Sequence, residues 1–289
     1  MYIQKTLKDI KTGGLFLIAT PIGNLDDITL RAIKTLEAVD YILAEDTRVT
    51  QKLLHHLAIN KPLISFHEHN QYEKTAEIIE QIQAGAVFGL VSDAGMPCIS
   101  DPGAILVTQM IANQLPLTVI PGVSASTALF SLSGMSEQGS FMFHGFLPTK
   151  EKAKSDVLAQ YQTSQAPVIF YESPHRILKT LTTIAQQFAP ETKICIGREL
   201  TKLHENLIWF TVAEFDATLF ETITTWKGEI ALILQPINTI KEVTETSELI
   251  ALIRTRVEQG MKPKTAIKEV AKQTHQKTNE LYKLWEQEK

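Results

Sequence analysis

The sequence predicts an α/β protein in which two sheet-and-helix domains follow one another and a small helical region closes the chain. Three observations predict this. Short apolar segments alternate with amphipathic stretches through the first half. The same alternation restarts after a polar junction near residue 146, and from residue 239 only helical patterns remain.

In order, the apolar run LFLIAT (15–20) reads as a strand and leads to a helix over 29–39. YILAE (41–45) precedes the helical RVTQKLLHHL, and PLISFH (62–67) precedes a long helix over 72–84 that Gly85 closes. VFGLVS (87–92) runs into a loop and then a helix over 104–113, and LTVIPG (117–122) runs into a helix over 124–132. Strands alternating with helices across short turns imply a mainly parallel sheet. FMFHGFLPTK (141–150) reads as a strand entering a linker. There follow helix 152–162, strand PVIFYES, helix 175–188, strand KICIGREL, strand LIWFTV, a short helix near 214–220 and strand EIALILQP. The polar stretch 236–247 reads as a linker, and 249–258, 263–273 and 277–287 as three short helices. The expected domains are therefore 1–145, 146–238 and 239–289.

Composition excludes several classes. With 289 residues, 44% hydrophobic and 21% charged, the chain is ordinary globular protein and long enough for two domains. The net charge of −4 does not suggest nucleic acid in bulk, but residues 254–289 carry nine Lys/Arg against five Asp/Glu. That is a tail of +4 on a body of −8, and it reads equally as a polyanion contact or a solvated face. Two distant cysteines, Cys98 and Cys195, argue against a disulfide framework and a zinc ribbon. No apolar signal core and no stretch of the ~20 residues that span a bilayer is present, so a cytoplasmic protein is expected. The chain lacks G-x-x-x-x-G-K-[ST], and ATPIGNL is not G-x-G-x-x-G. PGVSAS has Ser126 where a nucleophile elbow needs its second glycine, which makes Ser124 a poor hydrolase nucleophile. His67–His69 and His55–His56 have no partner cluster at metal spacing, so no metal is expected.

Polar loops at strand ends remain, above all VSDAGMPCISDPG (91–103). Ligands of parallel sheets sit beyond the carboxyl ends of strands. Gly95 and Gly103 permit close backbone approach while Pro97 and Pro102 set the loop's shape in advance. Ser124 and Ser126 open a helix, where N–H groups favour a carboxylate; they read equally as plain N-caps.

The segments ATPIGNLDDIT, AEDTR, SDAGMPCISDPG, IPGVSA, FHGFLP, FYESPHR and GRELTKLHE, followed by KGE, occur in the order and spacing of the RsmI family. The chain resembles these ribosomal RNA small-subunit methyltransferases of tetrapyrrole-methylase fold almost continuously over 15–235, and its helical tail is similar too. Met96, Cys98 and Val123 depart from the usual Thr, Leu and Pro, which are packing-scale changes. The resemblance implies two α/β domains of that fold with a cleft between them, S-adenosylmethionine as methyl donor, and a homodimer. The implied acceptor is the ribose 2′-hydroxyl of a cytidine in the decoding centre of 16S rRNA in the small ribosomal subunit (cytidine 1402 in reference numbering). Asp93, Ala94, Gly95, Met96, Ile99 and Ser100 would border the donor, with Ser124 and Ala125 from the next loop. Pro21, Tyr171 and Lys227 would lie at the cleft between domains, and Asp101 would brace the loop.

A ribose hydroxyl is a weak nucleophile, so a general base would help. Glu45 and Asp46 in EDTR, Glu172 in YESPHR and Glu199 in GREL are the candidates, with His175 a further one. Each carboxylate reads equally as half of an ion pair with Arg48, Arg176 or Arg198. For RNA, Arg31, Arg48, His175, Arg176 and Arg198 occur near strand-end loops, and Lys262, Lys264, Lys268 and Lys272 recur at helical spacing. Two alternatives are weighed: a methyltransferase of a tetrapyrrole or other small molecule, and a non-catalytic ribosome-assembly factor. Methylation of a porphyrin precursor would favour the first, and failure to bind S-adenosylmethionine the second.

Overall fold

The structure is a computed structural model that describes residues 3–4, 13–137, 139–223, 225–237, 246–258, 260–274 and 276–287, without the side chains of 247, 248, 272 and 273. Most of the expected 236–247 linker and the Lys272 side chain therefore lie outside the described residues. Those described fall into two compact units, Met1–Pro236 and Ile237–Lys289.

The first sheet is wholly parallel. Its strands β1 (Gly14–Ile18), β2 (Tyr41–Ala44), β3 (Leu63–Ser65), β4 (Val87–Val91) and β5 (Leu117–Ile120) stand in the order β3-β2-β4-β1-β5. The helices between them are α1 (Leu30–Ala38), α2 (Thr47–His56), α3 (Gln71–Gln83) and α4 (Ala104–Ala112). Thr29 and Asp46 start the first two by accepting from Ala32 and Arg48 backbone N–H groups, the local signal that turns strand into helix. Side chains on successive strand residues point to opposite faces. Phe16, Ile18, Ile42 and Val91 thus pack with α1 and α2, whereas Leu15, Leu43, Phe88 and Leu90 pack with α3 and α4. Gly89 is a packing necessity, because a Cβ there would stand 2.9 Å from Ile18 Cδ1.

The second sheet departs from the parallel pattern. Helix α5 (Ala125–Leu132) precedes β6 (Met142–Phe146), α6 (Glu151–Ala159), β7 (Val168–Glu172), α7 (Ile177–Gln187), β8 (Lys193–Arg198), β9 (Asn206–Thr211), α8 (Ala217–Thr222) and β10 (Ile230–Gln235). Strand order is β6-β7-β10-β8-β9, and only β6 and β7 run parallel. One face packs on α6, α7 and α8 through Phe170, Ile196 and Leu232. The other face, through Ile169, Cys195 and Ile233, packs on Leu129 of α5 and on Ile22 from the first half. This shared apolar layer holds the two sheets in one unit and fixes the loops between them.

The remaining unit is a three-helix cluster of α9 (Thr246–Glu258), α10 (Pro263–Gln273) and α11 (Thr278–Gln287), closed by Leu249, Ile253, Ile267, Val270 and Leu281. Lys262, Lys264 and Lys268 are exposed. No helix among the described residues is long and apolar enough to cross a membrane.

Candidate active site

The loop after β4 leaves the sheet at Ser92 and is tied at once to the loop after β1. Thr20 and Gly95 exchange backbone hydrogen bonds of 2.9 and 3.1 Å, and the Thr20 hydroxyl donates to the Ser92 carbonyl at 3.1 Å. Four residues of the loop, Gly95, Cys98, Ser100 and Gly103, have positive φ. Only glycine takes such a conformation without strain, and Gly103 (φ +130) also has no room for a Cβ, which would meet Leu90 and Cys98 at 2.6 and 2.7 Å. The loop is therefore preset rather than adaptable.

A cavity of ≈ 380 Å³ opens between this loop, α5 and the second sheet. Asp93, Ala94, Gly95, Met96, Ile99 and Ser100 line it from the loop, and Ser124 and Ala125 from the start of α5. Tyr171 lines it from β7, and its hydroxyl bonds to Ser124 and Ser126, which are themselves 3.0 Å apart. The Ser124 side chain makes no N-cap bond, and of this cluster Ser124 and Tyr171 line the cavity with Ser126 buried behind them.

Acid dominates the polar lining. Glu45, Asp93, Asp101 and Glu229 all border the cavity. Burial, then Asp93 and Asp46, raise the Glu45 carboxyl above its ordinary range. Asp93 is raised by burial, against a hydrogen bond its Oδ1 accepts from the Asp46 N–H at 3.0 Å. Asp101 is pushed up to about 7 by burial, then by Glu45 and Asp93. Carboxyls driven up together by burial and by one another form a site that a cation relieves.

The other expected residues are placed differently. Pro21 borders a second, smaller cavity. Asp46 caps α2 and is chelated by Arg48, whose Nη2 stands 2.6 Å from Oδ2; that hydrogen bond holds the carboxyl down at about 2. Glu172 touches the main cavity but is buried at the end of β7, where it accepts from Arg176, from the Thr180 hydroxyl at 2.7 Å and from the Ser173 N–H at 2.7 Å. Glu199 accepts from Lys202 at 2.7 Å and from the Glu229 N–H at 2.9 Å, which clamps the KGE turn. Its ion-pair partner is Lys202 and not Arg198, because Arg198 donates to the Lys227 and His204 carbonyls. Lys227 is exposed and outside the cavity lining. Arg31 reaches the Val119 carbonyl at 3.3 Å, and His175 is exposed.

Sequence reading missed Ile22, Phe146 and Glu229 as lining residues and took Asp101 for a brace. The signal was present, since Ile22 lies in TPIGN, Phe146 in FHGFLP and Glu229 in KGE.

S-adenosylmethionine fits this lining on chemical grounds. A sulfonium cation matches the raised carboxyls, the Ser124 and Tyr171 hydroxyls beside the start of α5 suit a carboxylate, and Ile22, Ile99 and Leu200 supply apolar wall.

The Tetrapyrrole (Corrin/Porphyrin) Methylases family matches residues 14–216. Ribosomal RNA small subunit methyltransferase I of Streptococcus pyogenes serotype M3 is 42% identical over 288 residues, covering 98% of each chain. The protein of the same name from Synechocystis sp. is 39% identical over 273 residues, covering 94% of this chain and 97% of its own. Among solved structures, uroporphyrin-III-C-methyltransferase from Thermus thermophilus aligns with a TM-score of 0.55 at 20% identity, over 76% of this chain and 94% of its own, which speaks to fold alone. The chain belongs to the tetrapyrrole methylases and, within them, to the RsmI family of ribosomal RNA small-subunit methyltransferases.

Proposed function

We propose that this protein transfers a methyl group from S-adenosylmethionine to the ribose 2′-hydroxyl of a cytidine in 16S rRNA (cytidine 1402 in reference numbering) within the small ribosomal subunit. The observation that carries the reading is the acidic cleft between the two sheets, in a chain of this family. When bound, the donor supplies an electrophilic methyl on a positively charged sulfur. The loop residues Asp93, Ala94, Gly95, Met96, Ile99 and Ser100 hold it from one side, and Ser124, Ala125 and Tyr171 from the other. Because these loops are preset, the chain's main contribution is alignment of acceptor oxygen and methyl carbon; orientation supplies roughly 7–11 kcal/mol in favourable cases.

Glu45 takes the hydroxyl proton. It borders the cleft, is raised above its ordinary range by burial and by the neighbouring carboxylates, and has no hydrogen bond or ion pair among the described residues. Asp46, Glu172 and Glu199, by contrast, spend their oxygens on Arg48, Arg176 and Lys202. Bound there, the donor would give up its methyl with the C–S electron pair kept by sulfur, and Glu45 would hold the proton that the acceptor hydroxyl loses as its oxygen takes the methyl. Arg48, Arg31 and His175 are exposed and meet RNA phosphate, as do Lys262, Lys264 and Lys268. Arg176 and Arg198 act through the backbone they hold. A homodimer and a cytoplasmic site of action follow from the family resemblance.

The test is transfer of labelled methyl to undermethylated small subunits, with the product nucleotide mapped by mass spectrometry. A 2′-O-methylcytidine in the decoding centre supports the reading, and no transfer to subunits or free rRNA refutes it. Glu45→Gln should lower kcat by roughly 10²–10⁴-fold with donor affinity kept.

A further inference from the structure

We propose that the second cavity, beside the donor cleft, is the seat of the acceptor nucleoside: one unpaired pyrimidine nucleotide enters it, with its ribose at the wall the two cavities share. This rests on the functional reading above and deepens it.

The cavity measures ≈ 290 Å³ and lies between the loop after β1 and the first turns of α2. Ile22, Asp93, Ala94 and Glu229 border both cavities, so a group seated in one stands against a group seated in the other. The size lies at the lower end for small-molecule pockets, room for one nucleoside and not for paired RNA. A base that fills it has left its stack.

The lining suits that occupant. Pro21, Leu25, Val49 and Leu53 offer apolar surface to a flat ring. Lys52 lines the cavity, is exposed and makes no ion pair among the described residues, so the rim offers one unspent cation to a phosphate beside the shared Asp93 and Glu229 wall.

Thr50 supplies an independent observation. It lines the cavity, is 3% exposed, and its hydroxyl has no hydrogen-bond partner. Helical threonines ordinarily donate to the carbonyl one turn back. Thr35, Thr75, Thr108, Thr182 and Thr183 all do so here. Thr50, in contrast to these five, is left with an unspent donor and acceptor in a buried hydroxyl. A base edge in the cavity would give that hydroxyl its partner.

The experiment compares Thr50→Val and Lys52→Ala with the wild-type chain in methylation of undermethylated small subunits, with donor affinity measured in parallel by calorimetry. Thr50→Val keeps shape and removes only the hydroxyl, so its thermal midpoint should be unchanged or higher. Its kcat/KM for subunits should fall roughly 3- to 10-fold, as the loss of one hydrogen bond predicts, with the donor Kd unchanged. Lys52→Ala should raise KM and reduce by about one the slope of log affinity against log salt. Both variants acting like wild type on an active background would overturn this inference alone. A wild-type chain that methylates no RNA would overturn the functional reading with it.

Discussion

Asp101→Asn tests whether the cleft stores an electrostatic cost that a cationic ligand relieves. The Asp101 carboxyl is pushed from its ordinary 3.8 up to about 7, first by burial and then by Glu45 and Asp93. At ~1.4 kcal/mol per tenfold change in acidity, a rise of that size is worth ~4 kcal/mol undiscounted, and about 2 kcal/mol once water screening of a partly exposed group is allowed for. The sign follows from proton counting. Below about pH 4 the group is protonated in folded and unfolded chains alike and costs nothing. As pH rises from about 4 to about 7 the unfolded chain ionises first, so the folded state loses stability, and above 7 the full cost is present. The amide keeps the shape and removes the charge. Asp101→Asn should therefore raise the thermal midpoint by roughly 4–8 °C at pH 8, by little at pH 4, and progressively between. Scanning calorimetry of both chains across that range makes the measurement. A variant no more stable than wild type at pH 8, or equally stabilised at both ends, refutes the argument. The functional counterpart is specific. The variant should lose affinity for S-adenosylmethionine several-fold more than for the uncharged thioether S-adenosylhomocysteine, because only the former carries the sulfonium charge.

Two further substitutions probe the frame around the cleft. Glu172→Ala leaves Arg176, the wholly buried Thr180 hydroxyl and the Ser173 N–H without their partner, and should cost about 3–5 kcal/mol, read as a fall in thermal midpoint on the order of 10 °C. Adding Arg176→Met should recover part of that loss, and strict additivity would show the pair to be uncoupled. Gly103→Ala puts a Cβ at φ +130 against Leu90 and Cys98, so it should destabilise by about 2–4 kcal/mol and weaken donor binding; a neutral result in both would show the loop to be adaptable.

Local physics made most of the elements legible. The apolar period of strands β1, β2, β4 and β10 and the helical spacing of α3, α7 and α10 are nearest-neighbour properties of the chain, and their observed ends fall close to the expected ones. The loop 91–103 was equally legible, because glycine and proline act on their own backbone wherever they stand. The antiparallel run through β10, β8 and β9 was not, because strand direction depends on which distant segments pair.

The site divides along the same line. Motifs marked Glu45, Asp46, Glu172 and Glu199 as equivalent carboxylates near strand ends. Only the tertiary structure separated them, by supplying or withholding partners. Asp46 has an arginine two residues on, Glu172 has Arg176 one helical turn away, Glu199 has Lys202 across a turn, and Glu45 has none among the described residues. The raised Asp101 carboxyl has the same origin. Burial and the approach of Glu45 and Asp93 come from segments far apart in sequence, brought together by the apolar layer that Ile22, Leu129, Ile169 and Ile233 share between the sheets. Residue type and spacing determine what each segment can do alone, whereas charge state and cavity shape are sums over neighbours that only the folded chain assembles.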